Sequence, residues 1–309
     1  MNSAECPVCR HPAASAYMRV RGFQAPEAAE YSLVRCGGCG LIRLSPRPST
    51  DELLRLNRSH FSAPSARLSV ISRYSRLRRL YHSFSGEYLA EFLAGSRGRI
   101  LDAGCGFGGL MEELRACGCE PAGIEPNPEA CAHCRSRGFP VSCAPLERTG
   151  LPAGSFDGAV LWHVLEHLPD PRAALAEISR LLKPGGTLTV YCPNIRSYAA
   201  EFFGASWQGL DPPFHLLHFT PETLERLMRE SGFEPVYIRT SSADYFLPHS
   251  LAHLRAARPG DLPGRLPPAF LRSLPGRMLL MTLMRALDAV MPRRGECIRA
   301  RFVLRGGGI

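Results

Sequence analysis

The sequence predicts an α/β fold in which a doubly wound, mainly parallel sheet carries helices on both faces. Three observations lead to this prediction. Strand-like and helix-like segments alternate along residues 99–304. The segment 99–109, RILDAGCGFGG, has the order of a buried strand followed by a glycine turn that opens a helix. Two cysteine pairs near the start of the chain indicate a separate, small metal-binding unit.

Length and composition bound the domain organisation. The 309 residues, 45% of them hydrophobic, suffice for one large domain with an appendage or for two domains. We place a zinc ribbon at residues 1–48, a helical linker or cap at 49–96, and the main domain at 97–309 with an insertion at about 243–294. The sequence contains no run of 18 apolar residues, which argues against a membrane-spanning helix.

The first residues and the charge bear on location and partners. The start, MNSAECPVC, has no basic or apolar leader region, so we expect a cytoplasmic protein whose cysteines are reduced thiols or metal ligands. The net charge is +9, and arginines concentrate at 67–79 and 255–305. They form either an ordinary solvated surface or a contact for an anionic substrate or a membrane surface.

Four N-terminal cysteines have the spacing of a structural zinc site. Two Cys-x-x-Cys pairs, Cys6 with Cys9 and Cys36 with Cys39, are separated by 26 residues. Four soft thiolates select tetrahedral Zn²⁺ and leave no open position for chemistry. Because so short a unit has too little core to fold alone, we expect the metal to stabilise it.

A second group of cysteines is a weaker metal candidate. It comprises Cys117, Cys119, Cys131 and Cys134, with His133 between the last two. Cys131 and Cys134 fall on a predicted helix, and the first two flank a turn. We interpret them as small buried thiols rather than as a second metal site.

The core elements follow from hydrophobic periodicity and from turn residues. The helix predicted at 221–231 has the clearest start, with Thr220 as N-cap and Pro221 in its first turn. The predicted strands are 99–103, 120–125, 140–143, 157–162, 186–192, 233–239 and 297–304. The other predicted helices are about 108–117, 127–137 and 170–182.

The glycine turn and the next acidic residue predict a nucleotide-type cofactor site. Gly104, Gly106 and Gly108 let the backbone approach a ligand closely because they lack Cβ. Glu125 ends the second strand 21 residues after Gly104 and can accept hydrogen bonds from both ribose hydroxyls. The turn fits G-x-G-x-x-G, through Gly109, as well as G-x-G-x-G. By itself it therefore does not distinguish a dinucleotide from S-adenosylmethionine (SAM).

A second block distinguishes these cofactors by resemblance. Residues 154–195, GSFDGAVLWHVLEHLPDPRAALAEISRLLKPGGTLTVYCPNI, closely resemble the second half of a class I SAM-dependent methyltransferase core. The chain resembles this superfamily over about residues 4–240 and 297–304, and is similar to bacterial members with an N-terminal zinc ribbon. The resemblance implies a Rossmann-like sheet of seven strands whose last strand inserts antiparallel.

The resemblance also implies which residues bind SAM. Asp102 and the Gly104 backbone are expected to hold the methionine end, Glu125 the ribose, and Leu146 with Glu147 the adenine. The full predicted cofactor set is Asp102, Gly104, Cys105, Gly106, Gly108, Glu125, Pro126, Leu146, Glu147 and His163. In this family the segment 51–94 caps the cofactor, so Phe61, Tyr74 and Tyr81 are either lid contacts or plain helix packing.

Histidines after two strands are the candidate catalytic residues. The string HVLEH at 163–167 matches a metalloprotease pattern, but that motif needs a helix, whereas His163 ends a strand here. Open α/β sheets bind ligands at this edge, so His163 should face the cofactor or the acceptor. Glu166 and His167 are expected to open the following helix. Related quinone-ring O-methyltransferases carry an acid-rich form of this loop, ending in Glu-His, that can hold a divalent cation, and here Trp162 and His163 replace acids, which argues against a catalytic metal.

A further histidine pair lies in the segment PFHLLHF, which supplies His215 and His218. Methyl transfer to a hydroxyl or carbon also requires removal of a proton, and histidine suits that role near neutral pH. We therefore predict an acceptor side formed by His163, Glu166, His167, His215 and His218.

The insertion at 243–294 has two interpretations. It is rich in proline and then amphipathic, with one helical stripe formed by Leu280, Leu283, Met284, Leu287 and Met291. The stripe either contacts a membrane surface or a lipid substrate, or packs on its own domain or on a second copy.

These observations predict a class I SAM-dependent methyltransferase acting on a small-molecule, sugar or lipid-linked acceptor of the cell-envelope or secondary-metabolite type. One alternative is an RNA methyltransferase that uses the zinc ribbon and the arginine-rich surface to hold phosphates. A second is a non-catalytic SAM-binding protein, although the intact Asp102, glycine turn and Glu125 argue against it.

Overall fold

The computed structural model describes residues 5–22, 29–49, 52–53, 97–242, 246–257 and 274–305. Most of the predicted cap at 51–94, including Phe61, Tyr74, Tyr81 and the arginine cluster, lies outside the described residues.

An N-terminal unit, the ribbon (described residues 5–49), forms three antiparallel strands. They are β1 (Ala14–Arg21), β2 (Glu30–Cys36) and β3 (Ile42–Ser45). Buried Val20, Leu33 and Leu44 lie on these strands. The side chains alternate between the two faces of the sheet, so one face packs on the main domain.

The main sheet has seven strands in the spatial order β10-β11-β8-β7-β4-β5-β6. Strands β4 (Arg99–Ala103), β5 (Glu120–Ile124), β6 (Val141–Ser142), β7 (Phe156–Trp162) and β8 (Leu182–Pro193) pair in parallel. A short strand, β9 (Leu217–His218), precedes β10 (Phe233–Ser241). Strand β11 (Cys297–Leu304) enters antiparallel between β10 and β8, which confirms the predicted Rossmann-like topology.

Seven helices accompany these strands within the described residues. They are α1 (Gly109–Ala116), α2 (Pro128–Ser136), α3 (Pro171–Leu181), α4 (Tyr198–Phe203), α5 (Pro221–Glu230), α6 (Phe246–Ala257) and α7 (Leu274–Val290). The Thr220 side chain caps α5, with Pro221 at the first position, as predicted.

The turn after β7 corrects one prediction. Glu166 and His167 do not open a helix but lie in a single 3₁₀ turn, Leu165–His167. Helix α3 begins only after Asp170, whose side chain accepts a hydrogen bond from the Ala173 amide, and Pro171 occupies the first helical position. The Asp170 cap and Pro171 fix the start of the helix at that point. Glu166 and His167 lie before this boundary and can therefore adopt a tight turn.

The ribbon and the main domain share one sheet. Strand β9 of the main domain pairs antiparallel with β3, giving the four-stranded order β1-β2-β3-β9. The Arg172 guanidinium on α3 also donates to the Val8 carbonyl at 2.9 Å. The predicted boundary near residue 48 is therefore crossed by backbone pairing and by side-chain contacts.

Helix α7 carries part of the predicted apolar stripe. Met284 is buried, whereas Leu283 and Leu287 are exposed. Asp288 accepts a hydrogen bond from the Ser242 amide at 2.7 Å, which ties the helix to the end of β10. Among the described residues, no helix is both long and apolar enough to cross a membrane.

Candidate active site

The site lies where β4 and β7 end side by side. Asp102 on β4 is the register partner of Val160 on β7, three residues before His163. A Cβ placed on Gly104 would lie 2.6 Å from Cγ2 of Val164, so the glycine turn packs directly on the loop that follows β7. The parallel register thus brings the predicted cofactor and acceptor loops together at the carboxyl edge of the sheet.

The glycine turn is held by backbone hydrogen bonds. Gly104, Gly106 and Gly108 all have positive φ, at 84°, 48° and 83°, which side chains with a Cβ adopt at a cost. The Gly104 amide donates to the Ile124 carbonyl at 2.8 Å. Because this N–H group already has an acceptor, we do not expect it to bind the cofactor. Gly104 is instead expected to let the cofactor lie close to the backbone.

Glu125 fastens the glycine turn to the second strand. Its Oε2 accepts a hydrogen bond from the Gly106 amide and its Oε1 from the Asn127 amide, both at 2.9 Å. Burial raises the pKa of this carboxyl, and the two amide donors oppose the shift. The side chain is only half-buried, so the carboxylate can also meet a ligand lying over the turn.

Asp102 is a buried acid with no basic partner among the described residues. Its Oδ2 has no hydrogen-bond partner within the described residues, and the side chain is 2% exposed. Burial, with a contribution from the negative charge of Glu125, raises its pKa to about 7. SAM carries an ammonium and a sulfonium group, so an unpartnered carboxylate beside a glycine cradle fits this cofactor.

The thiols of the second cysteine group pack under the glycine turn. Cys134 donates to the Gly106 carbonyl at 3.3 Å, and Cys131 donates to the Glu125 carbonyl at 3.1 Å. Cys119 is also buried, whereas Cys117 is exposed. The burial of Cys119, Cys131 and Cys134 agrees with their interpretation as small packing thiols, whereas the exposed Cys117 does not fit it.

The remaining predicted cofactor residues differ in exposure. Leu146 and Cys105 are buried, Glu147 is half-buried, and Pro126 is exposed. Leu146 belongs to the hydrophobic core, so its side chain shapes the loop after β6 and only its backbone is available for an adenine contact.

His163 has an unusual backbone conformation at the end of β7. Its φ is 52°, which is uncommon for a residue with a Cβ. Its amide donates to the Tyr191 carbonyl at 2.8 Å, and its Nδ1 lies 3.0 Å from Oε1 of Glu166. A carboxylate only accepts, so Nδ1 carries the proton and Nε2 presents a lone pair. Within the described residues Nε2 has no hydrogen-bond partner.

Glu166 is almost completely buried, with 1% of the side chain exposed. Burial alone raises the pKa of a carboxyl, but the hydrogen bond from His163 and the neighbouring imidazoles lower that of Glu166 to about 2. The group is therefore an ionised carboxylate that fixes the His163 ring and its tautomer.

Aromatic side chains surround the His163 ring, among them Tyr191 at the end of the fifth strand of the core, a position where the sequence predicts pocket-lining residues. Trp162 stacks on Tyr191 with ring centroids 4.2 Å apart. His163 meets Tyr191 edge-on at 4.9 Å and lies 6.1 Å from Phe246 of α6. Phe246 comes from the insertion, whose proximity to β7 has no local sequence signal.

The other three predicted acceptor-side histidines are His167, which is half-buried, and His215 and His218, which are buried. His167 and His215 rings meet at 4.7 Å, and those of His215 and His218 at 6.5 Å. His215 and His218 are 7% and 3% exposed, and burial lowers their pKa values to about 3 and 4. Burial also lowers the pKa of His167.

The four N-terminal cysteines converge as predicted. One ligand atom from each of Cys6, Cys9, Cys36 and Cys39 lies within 4.8 Å of the others. The Cys36 sulfur also accepts a hydrogen bond from the Gly38 amide at 3.3 Å. The hydrogen bond from Cys39 lowers the pKa of Cys6 to about 4. Four unbridged thiols with a knuckle amide aimed at sulfur fit a structural Zn²⁺ site.

Comparisons with known proteins agree with this architecture. A family model described as a methyltransferase domain matches residues 72–238, more than half of the chain. A ubiquinone biosynthesis O-methyltransferase from Methylococcus capsulatus is 32% identical over 149 residues, or 44% of this chain and 63% of that protein. The Cereibacter sphaeroides protein of the same name is 33% identical over 150 residues, or 45% and 61%. The chain thus spans less than two thirds of the length of these curated relatives.

A solved structure is also similar. It is the Burkholderia thailandensis 1,6-didemethyltoxoflavin-N1-methyltransferase with bound 1,6-didemethyltoxoflavin and S-adenosylhomocysteine. It is 17% identical, covers 93% of this chain and 99% of that chain, and has a TM-score of 0.49.

Proposed function

Because the chain belongs to the class I SAM-dependent methyltransferase superfamily, we propose that it transfers the methyl group of SAM to a hydroxyl oxygen of a small, ring-containing acceptor. The O-methyltransferase names of the curated relatives favour oxygen as the acceptor atom. The single observation that carries the proposal is the His163–Glu166 pair, an imidazole with an available lone pair backed by a buried carboxylate.

Bound SAM supplies an activated methyl group on its sulfonium. Asp102 offers its unpartnered carboxylate to the positively charged methionine end, and Glu125 offers its half-buried carboxylate to the ribose hydroxyls. Charge attraction at one end and two hydrogen bonds at the other fix the cofactor against the edge of β4. Fixing the methyl donor in this way lowers the entropic part of the barrier.

His163 is assigned the role of general base. Its Nε2 would take the acceptor hydroxyl proton as the oxygen attacks the methyl carbon and the carbon–sulfur bond breaks to release S-adenosylhomocysteine, while Nδ1 keeps its hydrogen bond to Glu166. The ionised Glu166 stabilises the imidazolium that forms. The proton remains on His163 until solvent removes it, and the 32% exposure of the ring gives solvent access.

The ring-containing acceptor is inferred from the surface around His163. Trp162, Tyr191 and Phe246 form its aromatic neighbours, and the Trp162–Tyr191 stack is nearly parallel at 8°. Tyr191 and Phe246 are buried and Trp162 is half-buried, so the three form an apolar wall beside His163 that favours a planar or apolar acceptor body. A sugar or a lipid-linked acceptor offers a hydroxyl but presents less of a planar surface, and we rank it second.

His167, His215 and His218 are assigned to shaping the acceptor side. The low pKa values of His215 and His218 make them weak bases, and their burial keeps them from a bound acceptor. Of the five residues predicted for the acceptor side, we thus assign His163 as the base and Glu166 as its positioning residue.

The test is a turnover assay with a panel of hydroxylated aromatic compounds, sugars and short RNAs. S-adenosylhomocysteine formation is measured for the wild type, His163→Gln and His249→Ala, which removes an exposed imidazole of α6. Loss of a general base lowers kcat by about 100-fold or more. We expect that loss in His163→Gln with unchanged SAM affinity, and no loss in His249→Ala.

Two results would contradict the proposal. In the first, an RNA is methylated and no small molecule of the panel is. The ribbon and the basic surface would then be assigned to substrate recognition. Wild-type turnover of a hydroxylated acceptor that survives His163→Gln would remove His163 from the role of base.

A further inference from the structure

Two cysteines lie on either side of the Glu125 main chain. The Cys131 thiol, in the first turn of α2, donates to the Glu125 carbonyl at 3.1 Å. The Glu125 amide donates to the carbonyl of Ser142, the last residue of β6, also at 3.1 Å. Cys143 follows Ser142 directly. Hydrogen bonds to one residue thus hold the start of helix α2 and the end of strand β6 next to each other, and each carries a cysteine.

The two thiols interact but differ in their surroundings. Burial, with a contribution from the adjacent Cys143 side chain, raises the pKa of the Cys131 thiol to about 12. This thiol therefore stays protonated at neutral pH, whereas Cys143 is exposed to solvent. An exposed cysteine beside a buried one has the arrangement of an oxidation-sensitive thiol with a resolving partner.

The position of the pair connects it with the cofactor. The Glu125 carboxylate, which accepts from the Gly106 amide, is proposed to bind the ribose. Cys143 begins the loop that continues to Leu146 and Glu147, the predicted adenine contacts. Strand β6 has two residues and lies at the edge of the seven-stranded sheet, where it pairs with β5. So short an edge strand offers little resistance to a shift toward α2.

We propose that hydrogen peroxide converts Cys131 and Cys143 into a reversible disulfide that weakens SAM binding. The Cys143 sulfur attacks the O–O bond of peroxide. One oxygen remains on sulfur as a sulfenic acid, and the other leaves as water with the thiol proton. The Cys131 sulfur then attacks the sulfenic sulfur, the S–O bond breaks, and the hydroxyl leaves as water with the Cys131 proton. The two thiols lose two electrons in total, and one peroxide is reduced to two waters.

The disulfide changes the contacts of Glu125. A disulfide sulfur carries no proton, so the hydrogen bond from Cys131 to the Glu125 carbonyl is lost. The bond also draws the two sulfur atoms to about 2.05 Å, which pulls the start of the adenine loop toward α2. Together these changes should lower the affinity for SAM by about 10-fold or more. The inference rests on SAM as the cofactor and on its predicted contacts, and it needs no assumption about the acceptor.

Peptide mapping and SAM titration test the proposal without methyl transfer, so its outcome is separate from that of the proposed base and acceptor. The reduced, zinc-loaded, full-length protein is treated with hydrogen peroxide, alkylated, and digested without reductant. We expect a peptide pair that joins Cys131 to Cys143. Isothermal titration of the oxidised protein should show a Kd for SAM raised by about 10-fold or more. Dithiothreitol should reverse both changes.

Variants of single cysteines assign the effect. Cys143→Ser and Cys131→Ser cannot form the disulfide, and both should keep their SAM affinity after peroxide treatment. Serine at position 131 can still donate to the Glu125 carbonyl. Cys117→Ser is the matched control, because it removes another exposed cysteine outside the pair, and it should lose affinity as the wild type does.

Three results would overturn the proposal. The first is oxidised wild-type protein without the Cys131–Cys143 peptide pair. The second is a protein that contains this disulfide and binds SAM with unchanged Kd. The third is an equal loss of affinity in Cys143→Ser, which would assign the effect to other cysteines, including those of the ribbon. If Cys131→Ser does not fold, Cys143→Ser, at an exposed position, provides the comparison.

Discussion

Ile42 of the ribbon and His218 of the main domain are register partners in one antiparallel sheet. Next to this pair, the Leu44 amide donates to the Leu216 carbonyl at 2.9 Å, and the Leu216 amide donates in turn to the Glu166 carbonyl. Two backbone hydrogen bonds therefore connect the ribbon with Glu166, the residue whose carboxylate contacts His163. We infer from these contacts that the ribbon supports the segment that carries the proposed acceptor side.

This connection predicts that loss of a ribbon zinc ligand loosens the segment around β9. In Cys39→Ser the zinc content should fall by one, and the amide of His218 should exchange with deuterium faster, because β3 no longer holds its register. Exposed Cys117 gives the matched control, Cys117→Ser. Unchanged exchange at β9 in a zinc-depleted Cys39→Ser protein would show that the ribbon does not support this segment.

Gly104→Ala should destabilise the fold and weaken SAM binding. Its φ is +84°, and the new Cβ would lie 2.6 Å from Val164. Gly118 has nearly the same φ, +83°, with nothing within 4 Å of a Cβ. We expect about 1–2 kcal/mol of conformational cost in Gly118→Ala and a further 1–3 kcal/mol or so from crowding in Gly104→Ala. Equal unfolding free energies of the two variants would exclude the close packing of the glycine turn on the loop after β7.

Glu125→Gln should lower SAM affinity by about 10- to 100-fold, the usual effect of losing hydrogen bonds to a charged group. Glu125 also accepts one backbone amide on each oxygen, and the glutamine NH₂ group would face one of those donors. Isothermal titration with SAM measures the change. Glu129→Gln, at an exposed position on α2, is the control and should bind SAM like the wild type.

Asp102 predicts how stability depends on pH in the absence of SAM. The carboxyl titrates near 3.8 in the unfolded chain and near 7 in the folded protein, so the folded state binds the extra proton between these values. Its contribution to stability therefore falls as pH rises from about 4 to 7 and stays low above 7. Asp102→Asn removes this dependence.

Denaturant unfolding of both proteins across this range measures the effect. The free-energy advantage of Asp102→Asn over the wild type should grow with pH, by up to about 4 kcal/mol. An advantage that is constant with pH would mean that Asp102 is not desolvated in the folded protein.

The sequence was sufficient to predict the main sheet because its signals are local. Strand β4 matches its predicted bounds, α3 is shorter than predicted by one residue at each end, and α5 by one residue at its C-terminal end. Capping residues and periodicity specify such elements without knowledge of the rest of the chain. The prediction that Glu166 and His167 open a helix was wrong. The sequence itself contains the correct signal, because Asp170 and Pro171 mark where α3 begins.

The contacts between distant segments were not predictable in the same way. Strand β9 has two residues and no periodicity, so its pairing with β3 depends on the assembled fold. The proximity of His215 to Glu166 and of Phe246 to His163 likewise arises from tertiary packing. Residue types indicated acceptor-side chemistry, but only the geometry separates the half-buried His163 from the buried imidazoles of His215 and His218.

The most direct test of the central claim follows the methyl group itself. Purified protein is incubated with methyl-labelled SAM and a fractionated extract of the source cell, and label is counted in the RNA, lipid or glycan, and small-molecule pools. Glu125→Ala serves as the cofactor-site blank and His163→Gln as the base variant. We expect label in the small-molecule pool, and we expect both substitutions to abolish this label. Label confined to RNA, or label in the small-molecule pool that persists in His163→Gln, would contradict it.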